Sequence, residues 1–201
     1  MALAATLAFA APAATKPLKL VALGDSLTAG YDLPSGQAFP DVLARALKAK
    51  GWDVEVVNAG VSGDTAADGL ARFEWSVPAD ANAIIVELGA NDMLRGADPA
   101  ATEATLSRIL AKARDAHMAI LLAGMLAAPN YGEDYERRFD AIYPELAAKF
   151  GVALYPFFLE GVAGVRPLQL EDGLHPNRAG VERIVQGILP AVETLLGKVG
   201  R

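Results

Sequence analysis

Short apolar segments alternate with longer segments of helical character along this chain, and that alternation limits its fold more than any other feature. Apolar runs predict β-strands at 18–23, 54–57, 83–88, 118–124 and 152–155. Apolar spacing, Pro starts and Gly stops predict helices at 39–50, 64–73, 99–116, 135–150 and 176–196, with a kink or break at Pro144 and Pro190. Strands that alternate with helices are typical of a parallel sheet with helices on both faces. The sequence therefore predicts an α/β protein with a three-layer α/β/α architecture, in which a parallel sheet lies between two layers of helices.

The order of the strands follows from the same pattern. Five strands joined by right-handed crossovers favour the flavodoxin-like order 2-1-3-4-5. In such sheets, ligands bind beyond the carboxyl ends of the strands, near the point where the order reverses. Strand 1 would lie between strands 2 and 3, so Ser26, Gly60 and Asn91, which follow these three strands, would converge on one crevice.

The composition excludes several classes of function. The chain has 201 residues, of which 53% are hydrophobic and 21% charged, as expected for a packed globular domain. A net charge of -6 without a Lys/Arg cluster argues against nucleic acid as a partner, because neutralising phosphates needs a basic surface. The absence of Cys excludes disulfides and thiolate metal sites, and two histidines are too few for a site with several His ligands.

Residues 1–15 differ in composition from the rest of the chain. They are almost all Ala, Leu, Phe and Pro, and they form an apolar run shorter than the ~20 residues that a transmembrane helix needs. We interpret them as the apolar part of a secretory signal with a cleavage candidate at Ala8-Phe9-Ala10, or as an apolar tail. A single domain over 16–201, without stable membrane insertion, is therefore expected.

Ser26 stands on the predicted turn after the first strand. A serine in that position is either a displayed nucleophile or part of a phosphate-binding loop. A serine nucleophile needs a base, which near neutral pH is a histidine. His175 follows Asp172 by three residues and precedes Pro176, so the carboxylate can orient the imidazole, whereas His117 at a predicted helix end is interpreted as a partner of the helix dipole.

Acyl transfer also requires donors for the developing oxyanion. The backbone N–H groups of Ser26 and Gly60 and the side-chain amide of Asn91 are the candidates. Each has a plain structural alternative, because glycine after a strand is a common turn residue and Asn91 could cap a helix. Asp25 and Asp92 alone are weak evidence for a metal.

The residues that flank these turns are expected to contact the substrate. Asp25 is interpreted as bracing the turn, and apolar residues in the loops favour an acyl-chain groove over a polar one, whereas Phe157 is assigned to the core. The predicted substrate-binding residues are Asp25, Leu27, Met93, Leu94, Met125, Leu126 and Leu174.

Four segments together resemble the blocks of the GDSL/SGNH hydrolase superfamily, and most closely its bacterial multifunctional acyl-CoA thioesterases and lysophospholipase L1-like arylesterases. They are Gly24-Asp25-Ser26-Leu27, Asn58-Ala59-Gly60, Gly89-Ala90-Asn91-Asp92 and Asp172-Gly173-Leu174-His175-Pro176. The resemblance implies a Ser26 nucleophile, a His175 base oriented by Asp172, and an oxyanion hole of Ser26, Gly60 and Asn91.

The resemblance also implies an enzyme without metal or cofactor that is exported to the periplasm or secreted and acts on small-molecule acyl esters or thioesters. We expect it to be a monomer. Two alternatives stay open at this point. One is a carbohydrate acetylesterase. The other is a flavodoxin-like nucleotide-binding module that uses loop 24–30, although this loop lacks a G-x-G-x-x-G pattern.

Overall fold

The computed structural model describes residues 16–199, so the predicted signal and its cleavage site lie outside the described residues. The strands are β1 Leu18–Gly24, β2 Val54–Gly60, β3 Ala83–Glu87, β4 Ala119–Ala123 and β5 Ala153–Tyr155. The helices are α1 Ser26–Ala29, α2 Phe39–Ala49, α3 Ala66–Ala71, α4 Phe73–Ser76, α5 Ala90–Leu94, α6 Pro99–Asp115, α7 Glu133–Phe150 and α8 Arg178–Val199, with short 3-10 helices at Pro129–Tyr131 and Arg166–Leu168.

The sheet is parallel and has the order β2-β1-β3-β4-β5, which confirms the predicted topology. β1 lies between β2 and β3, and its last residue, Gly24, is in register with Gly60 of β2 and Glu87 of β3. The carboxyl ends of the three strands are therefore level, and the segments that leave them start from one edge of the sheet.

The core lies between the sheet and its two helical layers. β1 and β3 are buried along most of their length, as continuous apolar runs in a doubly covered parallel sheet should be. α2 packs against α8, and α6 packs against α3 and α7. Each fully buried Leu, Ile or Phe side chain contributes about 1.5–3 kcal/mol relative to an exposed one, so the central strands hold the edge of the sheet rigidly.

Some helix boundaries differ from the predictions. α7 and α8 run without a break through Pro144 and Pro190, both of which are exposed, so water can satisfy the carbonyl groups that proline leaves without a donor. α3 starts after Thr65, whose side chain accepts from the Asp68 N–H, and not at Asp64. Between residues 16 and 199, no helix is long and apolar enough to cross a membrane.

Candidate active site

Ser26 is the first residue of α1, directly beyond the end of β1. The Asp25 side chain caps this short helix by accepting from the Leu27 N–H at 3.0 Å, and Gly30 ends it in the left-handed conformation at φ 83°. A Cβ on Gly24 would lie 2.2 Å from Thr28 Oγ1, so only glycine allows the strand to turn this tightly into the helix. The turn thus presents the Ser26 hydroxyl beyond the edge of the sheet, as predicted.

His175 and Asp172 complete a line of hydrogen bonds to the serine. His175 Nε2 lies 2.9 Å from Ser26 Oγ, and His175 Nδ1 lies 2.6 Å from Asp172 Oδ2. Burial alone would raise the pKa of Asp172, but hydrogen bonds from the Leu174 N–H and from His175 outweigh burial and lower this pKa to about 2. The carboxylate is therefore ionised at neutral pH and can orient the imidazole and stabilise its charged form.

The histidine is held by its own segment as well as by the triad. The Leu170 N–H donates to the His175 carbonyl at 2.8 Å, and Gln169 forms an antiparallel bridge with Pro176. The Tyr31 ring lies over the imidazole, with 4.4 Å between the ring centroids. His117 takes no part in the site: it is exposed, in the left-handed conformation, at the turn after α6.

Asn91 lies on α5, on the other side of Ser26. Its Nδ2 donates to Asp25 Oδ2 and to the Asp64 carbonyl, both at 3.0 Å. Burial is the main cause that raises the pKa of Asp25 to about 6, so that this carboxyl is mostly ionised at pH 7. Asp25 therefore connects the serine turn to Asn91. Asp92 accepts from the Ala66 N–H and from Thr102, so both acidic side chains are used by protein donors.

The prediction for Gly60 is wrong. Its N–H donates to Asn58 Oδ1 at 2.9 Å, because Gly60 is still the last residue of β2 and not part of the turn. The chain turns next, at residues 61–64, where the Asp64 N–H donates to the Val61 carbonyl. Gly63 on this turn has φ 88°, and its N–H has no acceptor among the described residues. The sequence contains one signal that could have indicated Gly63 instead, because a second glycine follows Gly60 by three residues.

Arg72 is a residue that the sequence reasoning missed. It is only 5% exposed, and its Nε donates to Asp64 Oδ2 at 2.5 Å. Its guanidinium also donates to the carbonyls of Gly24 at 2.9 Å and Ala59 at 2.8 Å, at the ends of β1 and β2. Arg72 thus ties the 61–64 turn, and with it the Asp64 carbonyl that accepts from Asn91, to the edge of the sheet.

A cavity of about 490 Å³ opens beside Ser26 and His175. All seven predicted substrate-binding residues line it, so the structure brings this set together. Phe157, which the sequence analysis assigned to the core, is half-buried and lines the cavity, whereas its neighbour Phe158 is fully buried. The walls beyond the catalytic residues are formed by apolar side chains and glycine: Leu27, Ala90, Met93, Leu94, Met125, Leu126, Ala127, Ala128, Pro129, Phe157, Leu159, Ala163, Gly164 and Leu174.

This arrangement can be compared with known proteins. The model of the GDSL-like Lipase/Acylhydrolase family matches residues 22–183, a segment that includes Ser26, Asn91 and His175. Esterase TesA of Pseudomonas aeruginosa is 40% identical over 178 residues, which span 88% of this chain and 89% of that protein. Thioesterase 1/protease 1/lysophospholipase L1 of Escherichia coli is 43% identical over 160 residues, which span 79% of this chain and 76% of that protein. The crystal structure of AlinE4, an SGNH-hydrolase family esterase, matches with a TM-score of 0.76 at 44% identity and covers 92% of this chain and 99% of its own.

Proposed function

Because the chain belongs to the GDSL-like lipase/acylhydrolase family, we propose that it hydrolyses carboxylic esters and thioesters through a covalent acyl-enzyme on Ser26. The observation that carries the proposal is the line of hydrogen bonds from Ser26 through His175 to Asp172 at the mouth of an apolar cavity. Relatives that are named esterase and thioesterase support both leaving groups.

The proposed reaction uses the three hydrogen-bonded side chains in turn. Ser26 Oγ attacks the acyl carbon while His175 Nε2 takes its proton, and Asp172 stabilises the imidazolium. The imidazolium then protonates the leaving alcohol or thiol as its bond to the acyl carbon breaks. In the second half, His175 removes a proton from water, which attacks the acyl-enzyme, and the proton returns to Ser26 as the carboxylic acid leaves.

The tetrahedral intermediate carries a negative oxygen that needs donors. We assign this role to the backbone N–H groups of Ser26 and Gly63 and to the Asn91 amide. The two backbone groups have no acceptor among residues 16–199, whereas Asn91 already donates to Asp25 and Asp64. Asn91 must therefore share or exchange one of these bonds when the oxyanion forms, and Asp25 and Asp64 keep its amide close to the reacting carbon until then.

Acyl chains are the substrate class that the cavity favours. Its lining has no ionisable side chain apart from Asp25 and His175, so a fatty acyl chain can be desolvated there, whereas the hydroxyl groups of a sugar would lose water without gaining partners. Rates on p-nitrophenyl esters of increasing chain length, compared with rates on acetylated sugars, test this preference. Faster turnover of the sugars would favour a carbohydrate acetylesterase.

A fluorophosphonate label tests the nucleophile directly. We expect one labelled peptide that contains Ser26, complete loss of labelling in Ser26→Ala, and unchanged labelling in Ser35→Ala, a matched change at an exposed serine of the next loop. Labelling that persists in Ser26→Ala would refute the assignment.

The setting of the enzyme is part of the same proposal. The apolar composition of residues 1–15 supports export to the periplasm or the medium, and we propose that the exported enzyme is a monomer. Cell fractionation of the full-length chain measures its location. N-terminal sequencing of the recovered protein shows whether the signal is cleaved, and sedimentation analysis gives the oligomeric state. Recovery of uncleaved protein in the cytoplasm would contradict the export proposal.

A further inference from the structure

A fully buried glutamate lies beneath the serine turn without a role in the proposed reaction. Glu87 is the last residue of β3, and its side chain is 0% exposed. The Thr28 hydroxyl donates to Glu87 Oε2 at 2.7 Å, and a Cβ built on Gly24 would lie 2.5 Å from the same oxygen. The carboxyl group therefore packs directly against the backbone that carries Ser26.

The surroundings of Glu87 do not favour a negative charge. Its Oε1 is buried without a hydrogen-bond partner among the described residues. The charge of Asp25 on the serine turn acts on Glu87. The buried Tyr143 on α7 is in turn surrounded by acidic groups, because its pKa is raised by burial and then by Glu87, Asp92, Asp25 and Asp140. Burial, followed by the charge of Asp25, raises the pKa of Glu87 well above its ordinary value, and these two causes outweigh the hydrogen bonds from the Thr28 hydroxyl and from the backbone N–H groups of Asp25 and Thr28, which lower it. Leaving one bare oxygen costs far less for a neutral acid than for a carboxylate.

The basic side chains of Arg72 and His175 lie near this cluster, but both are bound to other groups. Arg72 reaches the Gly24 carbonyl, and its charge is paired with the Asp64 carboxylate. The His175 ring lies between Asp172 and Ser26 and is hydrogen-bonded to both, and its electrostatic effect lowers the pKa of Asp25. No ion pair to Glu87 is formed within residues 16–199.

Asp25 has the opposite requirement. Its two oxygens each accept a hydrogen bond, from the Leu27 N–H and from Asn91 Nδ2, which an ionised carboxylate does best. Two neighbouring carboxylates in one buried site cannot both ionise without a large penalty. A proton held by the deeper carboxyl group removes that repulsion.

We propose that Glu87 is a positioning residue that stays a neutral carboxylic acid, fixes the serine turn through Thr28, and leaves the single negative charge to Asp25, which holds Asn91. Glu87 does not touch the substrate and acts through Thr28 and Asp25. The protonation of Glu87 is independent of the proposed function, and only its effect on turnover depends on that function.

The pH dependence of the unfolding free energy tests whether Glu87 is protonated in the native state. A folded pKa above the unfolded value means that the native state keeps a proton that the unfolded chain releases, so the wild type loses stability as the pH rises above about 4.5. Glu87→Gln mimics the neutral acid and lacks this loss. We expect the unfolding constant of the wild type, relative to that of Glu87→Gln, to rise by up to about tenfold per pH unit above pH 5.

Glu145→Gln is the matched control, because Glu145 is exposed on α7. We expect this variant to follow the wild type at every pH in urea titrations. Infrared spectra at neutral pH should show the C=O band of a protonated carboxyl in the wild type and in Glu145→Gln, but not in Glu87→Gln. A Glu87→Gln variant that parallels the wild type from pH 5 to pH 8 and retains the band would overturn the proposal.

Turnover of a soluble aryl ester tests the positioning. Glu87→Gln should keep kcat within about threefold of the wild type, whereas Thr28→Val, which removes the hydroxyl at constant shape, should lower kcat by about tenfold with KM unchanged. Loss of kcat in a folded Glu87→Gln variant would show that the charged form is needed and would refute the inference. If the wild type hydrolysed no ester, the proposed function would fail, while the unfolding and infrared results would still decide the state of Glu87.

Discussion

Replacement of Arg72 by methionine should lower the free energy of unfolding by more than the loss of an exposed ion pair would. Methionine keeps most of the apolar stem but removes every donor of the guanidinium. The change leaves the Asp64 carboxylate, whose side chain is 13% exposed, without its cation, and it leaves the carbonyls of Gly24 and Ala59 without a side-chain donor. Loss of one partner from a buried pair costs about 3–5 kcal/mol, because the other charge stays buried.

We therefore expect the free energy of unfolding to fall by about 4 kcal/mol in Arg72→Met. For a domain of 150–250 residues, each 1 kcal/mol corresponds to about 2–4 °C in Tm, so Tm should fall by about 8–16 °C. Because Asp64 also presents its carbonyl to Asn91, kcat should fall as well.

Urea denaturation at pH 7 with a double-mutant cycle measures the loss. Asp64→Asn removes the charge that Arg72→Met strands, so the double variant should be at least 2 kcal/mol more stable than the sum of the two single losses predicts. Arg178→Met is the control, because Arg178 pairs with Glu182 at 3.0 Å on an exposed helix face and should contribute less than about 1 kcal/mol. Equal losses for Arg72→Met and Arg178→Met, or a coupling near zero, would refute the reasoning.

Three further predictions concern the turns around the nucleophile. Asn91→Ala removes one oxyanion donor and should lower kcat by about 10²–10³ in ester hydrolysis assays, and a variant with near-wild-type turnover would remove Asn91 from the hole. Gly89→Ala places a Cβ 2.3 Å from Tyr143 Oη at φ 118°, so thermal denaturation should show a loss of about 3 kcal/mol; an unchanged Tm would contradict this backbone geometry. Burial raises the pKa of Asp25 from 3.8 to about 6, so the native state keeps a proton that the unfolded chain releases. The wild type should therefore lose about 2 kcal/mol of unfolding free energy between pH 4 and pH 7 through this group, and urea titrations of Asp25→Asn should lack that loss. The same pH dependence in both proteins would be inconsistent with a raised pKa at Asp25.

The sheet and the triad were predictable because their signals are local. Each strand is a short apolar run between turn residues, and the alternation with helices leaves few possible topologies. Asp172 and His175 are three residues apart, so their contact requires only one turn of the chain. Strand ends that meet at one edge then place Ser26 near Asn91 without any knowledge of side-chain packing.

The parts that the sequence did not reveal depend on partners far apart in the chain. Arg72 binds the Gly24 carbonyl 48 positions away, and Glu87 accepts from Thr28 59 positions away. A carboxylate inside the apolar strand 83–88 was a visible anomaly, but nothing near Arg72 marked it as buried. Gly60 was wrongly chosen because β2 runs three residues beyond the predicted strand, to Gly60, and the N–H of this last residue donates to Asn58 Oδ1.

The base and the cavity wall are anchored separately. Residues 168–177 close on themselves through the bond from the Leu170 N–H to the His175 carbonyl and the bond from the Asn177 N–H to the Leu168 carbonyl. The wall formed by Phe157, Leu159 and Ala163 is fixed at its start by the Phe158 N–H, which donates to the Gly124 carbonyl. A segment of the chain that shapes substrate choice can thus accept insertions or be exchanged while the proton-transfer unit keeps its position. Such a division allows one scaffold to diversify toward new acyl groups by changing a loop alone.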